Sequence, residues 1–595
     1  RPHAAFSGCG RIENGPVAMT DLTTTQTDPD DPDQTAAVWQ GVALLAITLL
    51  AYLPVSSAGF IWNDDDLTAI LALIDQQGLS AVWFSTETSN FWPMTWSSYW
   101  IEHQLMGTDP ATGLPDPTSY HVVNVLLHAG ASLLLWRVLL RLEIPGAWLA
   151  AAVFAVHPVN VESVAWITQR KNVLAMFFYL VALGQFLEFE RSNRPIRYLG
   201  AVTAFLLALL SKGAVVAMPL VLLLLAWWRH GRLTRSDLLR SIPFLVLAVV
   251  MSGVEIWFQQ VKAIGEDTIR DAGLAERVMA TGPVAWFYLQ KALLPIELAF
   301  VYPLWQFDTS QAVQWLPLAA GLAVLGTLVW ATRKGLDRGP LAAVLYTLLC
   351  LGPVLGLVDI YYFRYSLVAD HYQYIAMPGL IVLVVAAAAR FARSRNIDRV
   401  TLRVASLGLV AVLGGLTWQQ VGIYQSPQQL WRDTLARNPG CWLAHNQLAN
   451  LVNSSQKVED ARKHYLEALR LIELQFGAGH VETARVHNNL GMLLGQTSRF
   501  ASDPAMMFQA ITHLKTACRI DPDRSDYIES LAGVLKEQGH FDRAIVRLRD
   551  FVSRHPDEAG AWIVLADCLA DAGRGAEADE ARRRSRDANP RRQQP

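Results

Sequence analysis

The chain has 595 residues and a formal net charge of −2, so it has no overall basic field that would attract nucleic acid. It is 52% hydrophobic and only 17% charged, whereas soluble domains carry about 25% charged residues. Its five cysteines are scattered without a C-x-x-C pair, which argues against a disulfide framework or a zinc site. Polar ends at 1–36 and 423–595 flank an apolar middle, which predicts a membrane part and a water-exposed part.

The first predicted element is an N-terminal segment, residues 1–35, that we expect to be disordered because it has almost no apolar side chain to bury. A transmembrane domain over 36–422 follows. Its candidate spans, judged against the roughly 20 apolar residues that a crossing needs, are 36–55, 121–141, 147–158, 171–188, 198–210, 213–229, 241–259, 314–332, 341–358, 372–390 and 403–421. The apolar stretch 284–303 is broken by prolines and charges, so we expect it to be re-entrant or interfacial.

The arginines predict the orientation of these eleven spans. With a cytoplasmic N-terminus, the arginine-rich loops after every second span all lie inside, as the positive-inside rule requires. The loop 56–120 and the repeat domain, 423–595, are then external, and the protein is expected in the inner (plasma) membrane with its repeats in the periplasm or an equivalent compartment.

The C-terminal domain has a 34-residue period. Three dipeptides repeat at that step, Asp521-Pro522, His555-Pro556 and Asn589-Pro590, and an earlier one opens the series at Asn438-Pro439. The period is typical of tetratricopeptide repeats, an α-solenoid whose concave face binds peptides or proteins. A simple spacer is the alternative. Two earlier steps are longer, which we attribute to inserted loops such as 500–504.

Three adjacent carboxylates, Asp64, Asp65 and Asp66, follow the first span. Such a cluster is strained by mutual repulsion unless a cation, a donor or a proton relieves it. One of the three could act as a general base, and the alternative is an acidic cap of the next helix.

Further ionisable residues stand at the predicted external membrane boundary: His157, Glu162, Arg170, Lys171, Lys212, Asp370 and His371. Ionisable groups at membrane depth are functional candidates. The cations Arg170 and Lys171 suit a phosphate headgroup, although a structural ion pair with a carboxylate such as Glu162 is equally compatible. Lys212 could bind a lipid phosphate or extend along the membrane edge.

The order of these motifs resembles the transmembrane-and-tetratricopeptide protein O-mannosyltransferases and their bacterial relatives, which are glycosyltransferases of the GT-C type. The resemblance covers about residues 36–590. Its motifs are F-x-W-x-D-D-D at 60–66, Pro93-Met94-Thr95-Trp96, Y-H-V-V-N-V-L-L-H at 120–128, H-P-V-N-V-E-S-V-A-W at 157–166, R-K-N-V-L at 170–174, Leu210-Ser211-Lys212-Gly213 and V-A-D-H-Y-Q-Y at 368–374.

The resemblance implies an all-α, GT-C-like bundle, a polyprenyl-phosphate donor that commonly carries mannose, and a protein hydroxyl as acceptor. The family's acidic pair falls on Asp64 and Asp65, with Asp66 in an equally possible register, and would activate the acceptor or hold a divalent metal. The conserved polar positions fall on His157, Glu162, Arg170, Lys171 and Lys212. In the mechanism that this implies, Lys212 and Arg170 or Lys171 hold the phosphate and Asp64 or Asp65 takes the proton.

The chain also departs from the family pattern. Trp92 stands before the proline where the family usually has arginine, and Asn172 stands where aspartate is frequent. Gly213 follows the lysine where glutamate is often found, and His371 stands where arginine is common. These departures support a second hypothesis, an inactive membrane scaffold whose repeats recruit protein partners. A transporter is less favoured because the sequence has no inverted repeat.

Overall fold

The structure is a computed structural model that describes residues 32–108, 115–265, 269–453, 458–501 and 503–588. The described part is helical and contains no strand, so the all-α prediction is confirmed. By packing, the chain divides into residues 1–43 and residues 44–595. The described part of the first unit, residues 32–43, is the start of the first helix. Residues 1–31, most of the segment predicted to be disordered, and the repeat dipeptide Asn589-Pro590 lie outside the described residues.

The membrane half contains helices of very different length. They are α1 (Pro32–Ala51), α2 (Asp65–Gln77), α3 (Ser80–Trp83), α4 (Pro93–Met106), α5 (Pro117–Arg141), α6 (Ala147–Ala155), α7 (Val161–Ala165), α8 (Arg170–Ser192), α9 (Pro195–Ser211), α10 (Met218–His230), α11 (Arg235–Phe258), α12 (Leu274–Leu293), α13 (Leu316–Arg333), α14 (Gly339–Leu351), α15 (Met377–Ser394) and α16 (Arg399–Ile423). Short 3-10 turns connect them at Leu53–Ser57, Trp62–Asp64, Pro158–Asn160, Ile167–Gln169, Gly213–Val215, Ala312–Trp315, Gly352–Val354, Tyr361–Arg364 and Asp370–Tyr372, and a π-helical turn, Gln259–Ile264, extends α11.

Seven described helical segments are long and apolar enough to cross a membrane: Pro117–Arg141, Ile167–Ser192, Gly213–His230, Arg235–Ile264, Ala312–Arg333, Met377–Ser394 and Arg399–Ile423. A bent pair, Ala147–Ala155 and Pro158–Ala165, adds one more if it counts as a single span. Three further apolar helices are shorter: Thr35–Ala51, Pro195–Ser211 and Gly339–Val354. Each of the eleven predicted spans corresponds to one of these elements, but eleven crossings would require every short one to cross, so that count stays a prediction. Helix α12, which covers the start of 284–303, is not among them.

Local signals in the sequence explain many helix ends. The hydroxyl of Thr234 accepts the N–H of Asp237, whose carboxylate accepts the N–H of Thr234 in return, and this capping box starts α11. The carboxylate of Asp398 accepts two N–H groups at the start of α16. Gly231 ends α10 in the left-handed conformation, φ +76°, which a residue without a Cβ adopts at little cost.

The long first loop is a folded unit. Helices α2, α3 and α4 bury a small core between them, formed mainly by Leu67, Leu71, Ile74, Val82, Trp96 and Tyr99. The Thr95 hydroxyl donates to the carbonyl of Ser211 at 3.0 Å, which attaches α4 to the end of α9. This bond brings the loop next to Lys212.

The repeat half continues with α17 (Pro427–Arg437), α18 (Trp442–Asn453), α19 (Val458–Phe476), α20 (Val481–Ala501), α21 (Pro504–Ile520), α22 (Ser525–Glu537), α23 (Phe541–Arg554), α24 (Ala559–Asp571) and α25 (Gly575–Ala588). From α18 onward they form four antiparallel pairs, as the period predicts. Gly491 permits a close approach of α20 and α21, since a Cβ there would lie 2.7 Å from Leu514 Cγ. The attribution of the longer steps to inserted loops was wrong at residues 500–501, because these continue α20, whose 21 residues exceed the 13 or 14 of the last four helices.

Candidate active site

Aromatic packing holds the turn that precedes the aspartate cluster. Trp62 has φ +45°, a conformation that is costly for a residue with a Cβ. Its ring stacks on Trp166 with centroids 5.4 Å apart and meets the ring of Trp431, in α17, edge-on at 6.1 Å. These contacts place the cluster beside the segment that leads into α8.

Asp64 is buried, and backbone groups hold its carboxylate. Oδ2 accepts the N–H of Ile61 and Oδ1 accepts the N–H of Thr168, both at 2.9 Å. The second bond joins segments 104 residues apart, so Asp64 does more than a helix cap would. Asp66 is exposed in the first turn of α2, whereas Asp65 is described only by its backbone, as the first residue of that helix.

Arg170 is committed to a structural network. Its Nη1 lies 2.6 Å from Glu102 Oε2, its Nε donates to Asn124 Oδ1 at 2.8 Å, and its Nη2 donates to the Tyr120 carbonyl at 2.9 Å. The side chain is fully buried, and its guanidinium carbon lies 4.3 Å from the centre of the Tyr99 ring. This geometry matches the structural ion pair considered above, with Glu102 as the partner instead of Glu162, and it does not support a role for Arg170 in binding phosphate.

Lys171, the next residue, has the opposite environment. Its Nζ lies 4.2 Å from the centre of the Trp92 ring, a cation–π contact. No ion pair or hydrogen bond of that ammonium group occurs within the residues that the structure describes, and the acids within its electrostatic range are Asp64, Glu255 and Asp66. The Lys171 ammonium group therefore faces an aromatic ring.

Lys212 lies in the same polar cluster. Its Nζ donates to Asn172 Oδ1 at 2.7 Å, and the amide of Asn172 donates in turn to Gln169 Oε1 at 2.9 Å. Burial, reinforced by the charge of Lys171, lowers the pKa of Lys212 to about 7. Because the side chain of Asn172 is neutral, it orients the ammonium group of Lys212 without neutralising its charge.

Glu162 and His371 form a buried pair 209 residues apart in sequence. Glu162 Oε2 accepts the N–H of His371 at 2.8 Å, and Oε1 lies 2.9 Å from its Nδ1. Burial, with the charges of Lys212 and Lys171, holds the pKa of His371 well below its ordinary value. Beside it, Asp370 accepts the hydroxyl of Tyr302 at 2.9 Å, and burial together with the Glu162 charge raises the pKa of Asp370 well above its ordinary value.

His157 is not part of this cluster. Its Nε2 lies 3.1 Å from the Ala292 carbonyl and its Nδ1 accepts the N–H of Val159, so it fastens the bend after α6 to the end of α12. Within the described side chains, no three His, Cys, Asp or Glu residues converge on a point that could hold a metal ion. Both oxygens of Asp64 already accept backbone N–H groups, so the described residues do not fit a metal and we derive no step through one.

Glu255 is a site residue that the sequence did not connect to the others. It lies in α11, and its Cγ would be 3.4 Å from a Cβ at Gly213, the residue after Lys212. Its carboxylate is within electrostatic range of Lys212 and Lys171. A charged residue inside an apolar span stands out in the sequence, but the sequence does not indicate which residues Glu255 lies near.

The repeat half packs against the same end of the bundle as the aspartate loop. The N–H of Gly59 donates to the carbonyl of Gln425 at 3.1 Å. A second contact, between Arg364 Nη1 and Glu482 Oε1 at 3.1 Å, joins α20 to the segment that leads to His371. The aspartates and the repeats therefore lie on one face of the bundle.

These features define a class of protein: a multi-pass helical membrane protein with a charged site at one end of its spans and tetratricopeptide repeats packed beside that site. Family models described as tetratricopeptide repeat match residues 441–502 and residues 531–591. The chain is 24% identical over 507 residues to Protein O-mannosyl-transferase TMTC3 of Homo sapiens, covering 78% of this chain and 54% of that protein.

Two other relatives agree in name. A Protein O-mannosyl-transferase of Caenorhabditis elegans is 22% identical over 74% of this chain and 64% of its own length. TMTC2 of Mus musculus, also a Protein O-mannosyl-transferase, is 31% identical over 23% of this chain and 17% of its own length. The resemblance is thus confirmed, and the chain is a relative of the transmembrane-and-tetratricopeptide protein O-mannosyltransferases. It spans between about half and two thirds of the length of the first two relatives.

Proposed function

We propose that the protein is a membrane glycosyltransferase that moves a sugar, mannose by analogy with its named relatives, from a polyprenyl-phosphate carrier to a Ser or Thr hydroxyl of a protein. One observation carries this proposal. Two lysines, the buried Lys171 and the half-buried Lys212, form no ion pair with a carboxylate in the described structure, and Lys171 lies within electrostatic range of Asp64. Such uncompensated cations suit an anionic phosphate.

The roles then divide between the residues. Lys171 and Lys212 bind the donor phosphate and stabilise the negative charge that develops as it leaves. Asn172, whose amide also donates to the His371 carbonyl, orients Lys212. The acceptor oxygen attacks the anomeric carbon as the bond from that carbon to the phosphate oxygen breaks, with inversion, and the hydroxyl proton passes to Asp65. Asp64 holds the start of α2 in place.

Under this proposal the segment 36–422 is the catalytic body and the repeats, 423–595, bring the acceptor protein to it. The repeats contact the catalytic body at the face that carries the aspartates, which supports this proposal. An acceptor protein bound to the repeats would have a raised effective concentration next to the aspartates. The proposed location is the external side of the inner membrane, with the N-terminus in the cytoplasm. The alternative, an inactive scaffold, is not favoured by the names of the relatives.

The test is a transfer assay with purified protein in liposomes, using polyprenyl-phosphate mannose with a radioactive sugar and a Ser/Thr peptide. Asp65→Asn should lower kcat by about 10²- to 10⁴-fold, the usual contribution of a general base. Asp75→Asn makes the same change about 15 Å along the same helix and should leave kcat unchanged. Full activity of Asp65→Asn would refute the role of Asp65, and wild-type protein without any transfer would favour the scaffold.

Asp64→Asn gives a different expectation. Because both oxygens of Asp64 accept backbone N–H groups, the amide would turn an N–H₂ group toward one of these donors. We expect a loss of about 1–3 kcal/mol of stability together with the loss of activity. In thermal unfolding followed by tryptophan fluorescence, Asp65→Asn should melt like the wild type, and equal melting of the two variants would contradict their separate roles.

A further inference from the structure

A second candidate binding site lies at the arginine-rich end of the spans, away from the charged cluster. It is a groove of about 270 Å³ between α5, α8, α10, α14 and α15. The groove is partly open to the surroundings of the bundle, so it is a surface groove and not an enclosed void. Its lining is apolar except for three charged residues, Glu143, Asp337 and Arg390.

The depth of the groove matches one leaflet of a bilayer. Its lining positions on α15 run from Pro378 to Arg390, which at the helical rise is about 18 Å. Half of the hydrocarbon core of a membrane is about 15 Å. At the deep end of the groove the Tyr346 hydroxyl donates to the Ile375 carbonyl at 2.9 Å. Its polar atom is therefore already hydrogen-bonded, and Tyr346 presents its apolar ring to the groove.

The three charged residues lie together at the mouth of the groove, at the arginine-rich end of the spans. Arg390 pairs with Asp337 in the connection before α14, and Glu143 follows α5. Glu143 forms no ion pair or side-chain hydrogen bond with the residues that the structure describes. Arg390, which shares its charge with Asp337, and the carboxylate of Glu143 stand at the mouth of an apolar groove, and they match a headgroup with one negative and one positive charge.

We propose that this groove binds a phospholipid with a zwitterionic, amine-containing headgroup, such as phosphatidylethanolamine, from the leaflet opposite the charged cluster. One acyl chain fills the groove, the phosphate meets Arg390 and the ammonium group meets Glu143. The sugar donor is a poorer fit. Leu180 of the lining lies about 14 Å below Lys171 along α8, so a lipid with its phosphate at Lys171 would bring its apolar end, not its head, to Arg390.

Native mass spectrometry of the full chain in mild detergent tests the proposal. The probes are palmitoyl-oleoyl phosphatidylethanolamine, phosphatidylglycerol with the same chains, and undecaprenyl phosphate. Ala386→Phe places a ring in the groove, whereas Ala388→Phe makes the same change at an exposed position of α15 that does not line it. We expect Ala386→Phe to weaken phosphatidylethanolamine binding at least about tenfold and Ala388→Phe to bind like the wild type.

A second substitution, at the proposed headgroup contact, tests the proposal without changing the packing of the groove. Glu143→Gln should reduce the preference for phosphatidylethanolamine over phosphatidylglycerol about fivefold, as the loss of one exposed ion pair allows. Equal binding by Ala386→Phe and Ala388→Phe would overturn the proposal. So would a wild-type preference for phosphatidylglycerol, or a preference for undecaprenyl phosphate, which would assign the groove to the donor.

Discussion

The two halves of the molecule use charge in opposite ways. In the repeats, many ion pairs join residues three or four positions apart on one helix, such as Arg470 with Glu467, whose side chains are 61% and 36% exposed. In the membrane half, Arg170 and Glu102 pair across 68 residues with side-chain exposures of 0% and 6%. Burying a charge costs several kcal/mol, whereas an exposed pair costs and contributes little. The difference indicates that charge keeps the repeats soluble, whereas in the bundle it builds a specific interior.

The largest expected effect is the loss of stability on breaking the buried ion pair between Arg170 and Glu102. Arg170→Met would leave the Glu102 carboxylate buried without its partner, and we expect a loss of about 3–5 kcal/mol of stability. The measurement is thermal unfolding in detergent followed by tryptophan fluorescence. The double variant Arg170→Met/Glu102→Met should recover most of the loss, because no uncompensated charge remains. A single variant that melts like the wild type would contradict this description of the bundle.

The next effect concerns the contact between the halves. Glu482 is buried and forms ion pairs with both Arg364 and Arg485, at N–O distances of 3.1 Å and 2.6 Å. Glu482→Gln removes that charge, and we expect the docking of α20 on the bundle to weaken by about 1.5–3 kcal/mol. Hydrogen exchange should then rise in α20 and in the segment 361–364. The same substitution at Glu467 is the control, and identical exchange in both variants would mean that the pair does not hold the interface.

A smaller effect depends on pH and on the proposed function. With a pKa of about 7, Lys212 is mostly protonated at pH 6 and mostly neutral at pH 8. The phosphate prefers the protonated form, so kcat/KM for the donor should fall about tenfold over that interval, since this parameter reports the free enzyme. Lys212→Arg stays charged throughout and should lose this pH dependence. An unchanged profile in Lys212→Arg would remove Lys212 from the phosphate site.

The smallest effect is expected at the surface of the repeats. Glu580 pairs with Arg583 and Arg584 on α25, and all three side chains are at least half exposed. Glu580→Gln should leave the melting curve of the full chain unchanged. A clear decrease in melting temperature would show that exposed pairs do stabilise the solenoid, and the contrast between the halves would be weaker than stated.

The predictions that the structure confirmed rest on local periodicity. The 34-residue step places Pro522 and Pro556 just after α21 and α23, and every predicted span corresponds to an apolar helix or to the bent pair. Both signals depend on side chains a few positions apart, which a sequence displays directly. The candidate residues Lys171, Lys212 and Glu162 could also be picked out, because charge at membrane depth is costly and stands out.

The tertiary structure decided which charge meets which partner. Arg170 and Lys171 are neighbours that the sequence could not rank, yet one is enclosed by Glu102 and the other faces Trp92. The pairing of Glu162 with His371 spans 209 residues, and Glu255 had no visible partner until α11 packed beside Gly213. The sequence by itself determined the elements and their apolar faces, because helix formation depends on near neighbours. The pairing of buried charges depends on how distant helices pack, which no short-range pattern records.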